Sequence, residues 1–144
     1  MPVTVYPKGT TLYHPDRCCN GYMPVLVPGE GGPAVGLMDM NGNVVHRWPM
    51  DGGTAKGGVP RARLLPNGRL LVLRQVGKRT TGYAQEYDWD GELVWEYEPP
   101  GELWPHHDVE KTAEGNTLLI CRETVPEAIR SKAKEPERRA MLYA

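Results

Sequence analysis

Polar and apolar positions fall into short blocks along this chain, and the blocks recur. The stretch "DMNGNVVHRW" at 39–48 matches "DWDGELVWEY" at 88–97 with an offset of 49, laying Asp39 on Asp88, Gly42 on Gly91, Val45 on Val94 and Trp48 on Tyr97. Each copy reads as strand, turn, strand, because an N-G or D-G pair tolerant of positive φ sits between β-branched and aromatic flanks. A second element follows each hairpin, "RARLLPNGRLLVLR" at 61–74 and "DVEKTAEGNTLLIC" at 108–121, with an offset of 47. Its second arm, Leu70 to Leu73 in one copy and Thr117 to Ile120 in the other, is the continuous apolar run expected of a strand covered on both faces.

Units of about 48 residues, each with four short strands and Gly-centred turns, predict an all-β fold of propeller blades, with a two-sheet sandwich as the alternative. Ahead of the first hairpin, apolar segments at Met23 to Val27 and Val35 to Met38 flank a Gly and Pro turn and form an N-terminal piece. Residues 1–121 thus hold about two blades plus this piece. Residues 122–144 comprise a charged, Pro-interrupted excursion with one helical turn after Pro126, then "AMLYA", which reads as the start of a next strand.

Composition narrows the function classes. Seventeen Lys and Arg balance eighteen Asp and Glu, so no net field draws in nucleic acid or an anionic membrane. No apolar run nears the roughly 20 residues of a membrane helix. The N-terminus lacks a basic start with an apolar core behind it, which makes a cytoplasmic location the expectation. Cys18, Cys19 and Cys121 are odd in number and lack metal-ligand spacing, so they read as buried small residues or free thiols. The Gly-rich "DGGTAKGGVP" at 51–60 lacks phosphate-loop spacing and reads as a loop between strands. Trp48, Trp89 and Trp95 recur at hairpin positions and are assigned to packing between blades.

Candidate chemistry concentrates in "WPHHDVEKTAEGNTLL" at 104–119, where two of the four histidines are adjacent. On an extended strand His106, Asp108 and Glu110 share one side, with His107 and Val109 on the other, so the two imidazoles point apart. The repeat alignment sets Arg61 on Asp108 and Arg63 on Glu110, offering cations in one blade opposite carboxylates in the next. His14, before a proline, and His46, in a hairpin arm, are assigned structural roles.

The ordered series "GTTLYHPDRCCNGYMPVLVP", "GLMDMNGNVVHRW", "ARLLPNGRLLV", "EYDWDGELVWEYE" and "HHDVEKTAEGNTLL" resembles the N-terminal part of the bacterial arylsulfotransferase family over about residues 9 to 121. That resemblance implies a six-bladed β-propeller that moves a sulfuryl group from an aryl sulfate to a phenol without a nucleotide donor, using a channel histidine. On this reading His106 and His107 are the catalytic candidates, and Trp104, Arg61 and Asp108 contact an aryl substrate. No cofactor is required. The alternatives are a hydrolase or lyase with a divalent metal on His106 and His107, and a non-catalytic binding propeller. Two blades and a piece fall short of the four to eight that close a propeller. The chain is therefore expected to be cleaved or split, with the remaining blades on a second chain.

Overall fold

The computed structural model describes residues 10–29, 32–50, 58–76 and 81–132. Their regular structure is mostly antiparallel β, in three sheets. One turn, used four times, sets the strand order. The Asp39 N–H donates to the Asn43 carbonyl at 2.9 Å, and the Gly42 N–H returns to the Asp39 carbonyl at 3.1 Å. The same two bonds close Leu65–Arg69, Asp88–Glu92 and Thr112–Asn116. The glycines at the fourth position, Gly42, Gly68, Gly91 and Gly115, have φ of 86°, 83°, 91° and 87°. This is a type I turn finished by a left-handed residue, which glycine adopts without a Cβ clash. Of each N-G or D-G pair, only the glycine uses positive φ.

Contacts divide the chain into two compact units, Met1–Gly53 and Thr54–Ala144. In the first, β1 (Met23–Gly29), β2 (Gly32–Met38) and β3 (Val44–Pro49) form a meander. Val35, Leu37 and Trp48 are buried there, and the His46 ring meets Trp48 edge-on at 4.3 Å.

In the second unit, β4 (Gly58–Leu64), β5 (Leu70–Val76), β6 (Thr81–Tyr87) and β7 (Leu93–Tyr97) form a four-stranded antiparallel sheet in sequence order. A separate pair, β8 (Trp104–Lys111) and β9 (Thr117–Arg122), packs against it, and the single turn α1 (Glu127–Arg130) follows Pro126. The grouping differs from the sequence expectation. The 61–74 element joins the hairpin that follows it, because β5 pairs with β6 in a seven-pair ladder, whereas β3 and β4 fall in different units. Gly58 to Pro60 of the Gly-rich stretch belong to β4; residues 51–57 and "AMLYA" lie outside the described residues.

The core of the second unit joins Leu65, Leu71, Leu73, Ala84 and Val109, with Trp95 and Leu119 packed on it. Leu70 to Leu73 are fully buried, as a strand covered on both faces requires, and each leucine is worth about 1.5–3 kcal/mol of transfer free energy. The second apolar run departs from expectation. Leu119 turns toward the core while Leu118 and Ile120 are 58% and 57% exposed, because the four-stranded sheet covers only one face of the β8–β9 pair. Trp48 is buried, Trp95 is half-buried and Trp89, in its turn, is 48% exposed.

Candidate histidine site

Strand β8 does not run straight through the histidines. Pro105 pairs with Cys121 and Val109 with Leu119, so three residues, His106 to Asp108, stand opposite Ile120 alone. The strand bulges by two residues. The expected alternation fails there, with His106 buried, His107 exposed and Val109 in the core. The imidazoles meet edge-on with centroids 3.6 Å apart, where a regular strand would have turned them to opposite faces. Among the described residues, His107 is the only non-glycine at positive φ, 68°. Such a conformation costs about 1–3 kcal/mol and persists where neighbouring contacts over-determine it.

Those contacts come from the four-stranded sheet. Arg63 on β4 donates from Nε to the Val109 carbonyl at 2.8 Å, from one terminal nitrogen to both Asp108 oxygens at 3.1 and 3.2 Å, and from the other to Glu110 at 2.9 Å. Arg61 places Nε 3.0 Å from Asp108 Oδ1. At the other end of the bulge, Gln75 Nε2 donates to the Pro105 carbonyl at 2.9 Å. Pro105 rests over Gly82, where an added Cβ would lie 2.5 Å from the Arg74 carbonyl and 3.1 Å from the proline ring. The bulge is thus pinned at both ends by side chains of β4 and β5.

Electrostatics follow from this clamp. Burial raises the Asp108 pKa, but the Arg63 hydrogen bond, the Val109 N–H and the charges of Arg63 and Arg61 together outweigh it and hold the carboxyl below its ordinary value. Arg61 and Asp108, both expected to touch substrate, are bound to each other. Arg61 remains about half exposed, with its guanidinium held through Nε. Trp104 is half-buried on β8, opposite Arg122.

No family model, curated protein or solved structure matches the chain.

The arrangement has the elements of nucleophilic or acid–base chemistry on an anion: an exposed imidazole, a buried one against its edge, and guanidiniums bound to the next residue, Asp108. Among the described residues, no three His, Cys, Asp or Glu side chains converge as a metal set. The cysteines are free, with Cys18 and Cys19 exposed and Cys121 half-buried, its thiol pKa pushed up by burial. Among the described residues, no helix is long and apolar enough to cross a membrane. Sequence reasoning found the arginine–carboxylate pairing through the repeat alignment. It missed the bulge and the part Gln75 plays, since the one irregularity marker in "PHHDV" is Pro105, which fits a strand start or an edge as well as a bulge.

Proposed function

We propose that this chain is the histidine-bearing part of a β-propeller enzyme that transfers a sulfuryl group between aryl compounds, with His107 as the nucleophile. The observation that carries the reading is an exposed histidine at positive φ on a bulge clamped by Arg63 and Gln75. The resemblance of the "HHDVEKTAEGNTLL" series to arylsulfotransferases supplies the reaction class. A four-stranded meander, followed by a strand pair that repeats its first two strands, is one blade and the beginning of the next. The remaining blades come from a second chain or a further segment. Free thiols suit a reducing, cytoplasmic setting.

In the reaction, a neutral His107 nitrogen attacks the sulfur of the aryl sulfate as the sulfur–aryl oxygen bond breaks. The departing phenolate takes a proton from His106 acting as general acid. The entering phenol gives a proton back to His106, attacks the sulfur and releases His107. Arg61, anchored through Nε by Asp108, offers its terminal nitrogens to the sulfate oxygens, and Trp104 borders the aryl ring. The test is turnover of nitrophenyl sulfate with phenol as acceptor. His107→Ala is expected to abolish transfer and His106→Ala to slow it about 10²–10⁴-fold. Full turnover by His107→Ala refutes the assignment.

A further inference from the structure

The two copies of the hairpin element share more than sequence. Ala62↔Val72, Arg63↔Leu71 and Leu64↔Leu70 in β4–β5 correspond, at the offset of 47, to Val109↔Leu119, Glu110↔Leu118 and Lys111↔Thr117 in β8–β9. Both are closed by the same glycine-ended turn. Register and turn agree, so β9 is the counterpart of β5. Their surroundings differ. The far edge of β5 is fully paired with β6, from Leu70↔Tyr87 to Val76↔Thr81. Among the described residues, β9 has no neighbour on its far edge. Beside that edge lies a cleft of about 480 Å³, whose walls include Trp95 and Tyr97 of β7, Leu119 and Cys121 of β9, and Leu103. The Trp95 and Tyr97 rings are stacked 9° from parallel, and Tyr97 is 46% exposed.

We propose that β9 and this cleft accept one antiparallel β-strand from another polypeptide, with the side-chain pattern of β6. An open strand edge supplies main-chain hydrogen bonds and the cleft takes alternate side chains, the requirements of strand addition. The register fixes which side chains enter. The β9 residues lining the cleft, Leu119 and Cys121, correspond to Val72 and Arg74, whose β6 partners are Gln85 and Tyr83. The incoming strand therefore carries large aromatic or amide side chains at the positions of Tyr83, Gln85 and Tyr87, suited to the aromatic wall of β7. It carries a small and an acidic residue at the intervening positions of Ala84 and Glu86. A second copy of this chain does not meet the need, because its own β6 is central in its sheet, paired with both β5 and β7. The inference deepens the reading of these strands as blades and rests on it, independently of the reaction at His107.

Cys121 supplies the test. It corresponds to Arg74, which pairs with Tyr83, so a strand in the proposed register brings position 83 opposite the Cys121 thiol. The full chain, with Cys18→Ser and Cys19→Ser, is mixed at mildly alkaline pH with synthetic peptides of residues 81–97 carrying Tyr83→Cys or, as off-register controls, Ala84→Cys, each activated as its 2-thiopyridyl disulfide, so that the Cys121 thiolate forms the mixed disulfide by displacing 2-thiopyridone. Docking raises the local thiol concentration. The Tyr83→Cys peptide is expected to form the mixed disulfide with Cys121 at least about tenfold faster than the control. It is also expected to protect the β9 amides from hydrogen exchange. Equal rates for the two peptides, or β9 amides unchanged by them, overturn the proposal. So do β9 amides already protected in the chain alone, which means that its own residues fill the slot, and so does a β9-mediated dimer in sedimentation. A sulfuryl adduct on His107 is read separately, so failure of the trap and failure of the catalytic reading are distinguishable.

Discussion

Arg63 is the residue on which the histidine site turns. Its Nε and both terminal nitrogens are engaged by three consecutive residues of β8, Asp108, Val109 and Glu110, which no ammonium group reproduces from a single point. Arg63→Lys is therefore expected to fold, to lose about 1–3 kcal/mol in thermal unfolding, and to change the reactivity of His107 toward diethyl pyrocarbonate in the folded protein. A purely structural arginine would lower stability and leave that reactivity unchanged. Asp108 adds a pH dependence. Its folded-state pKa lies below the ordinary value, so the ion pair contributes fully above the unfolded-state pKa of about 3.9 and the contribution disappears as pH falls through the lower folded value. The thermal stability of Asp108→Asn is expected to fall less steeply than wild type on acidification below about pH 4. Parallel acid curves for the two proteins contradict the clamp.

The strand pairs carry the contrast between what was and was not legible in the sequence. Leu73 and Ile120 are equivalent residues of β5 and β9, yet the first is fully buried and the second 57% exposed. Leu73→Ala is expected to cost about 2–5 kcal/mol of unfolding free energy in denaturant titration, and Ile120→Ala under about 0.5 kcal/mol. Equal costs would mean that the outer face of β9 is covered. The sequence identified the hairpins, their glycines and the apolar arms, because these depend on neighbours within a few residues. It did not tell which hairpin joins which sheet, since the two groupings share one pattern and the ladder between β5 and β6, made by residues distant in sequence, decides it. Nor did a β-rich run of apolar residues distinguish a strand covered on both faces from one covered on a single face. At Gly82, Gly82→Ala is expected to destabilise the unit and loosen Pro105, because the added Cβ meets the Arg74 carbonyl and no rotamer relieves a backbone clash.

Across the whole molecule, the repeat was readable and the site only in part. Arg61 and Arg63 fell opposite Asp108 and Glu110 by alignment alone, and the structure forms those ion pairs. The adjacency of the two imidazoles was not readable, because strand periodicity sends neighbours to opposite faces, and the double bulge that brings the rings together depends on side chains 30 to 46 residues away in sequence. The proposed role of the pinned bulge is to present His107 as a nucleophile. Incubating the full chain with an aryl sulfate in the absence of a phenol acceptor, then mapping tryptic peptides by mass spectrometry, tests it most directly. One added SO₃ group is expected on His107, removed on addition of phenol and absent in His107→Ala. An unmodified His107, or an adduct that persists in His107→Ala, contradicts it.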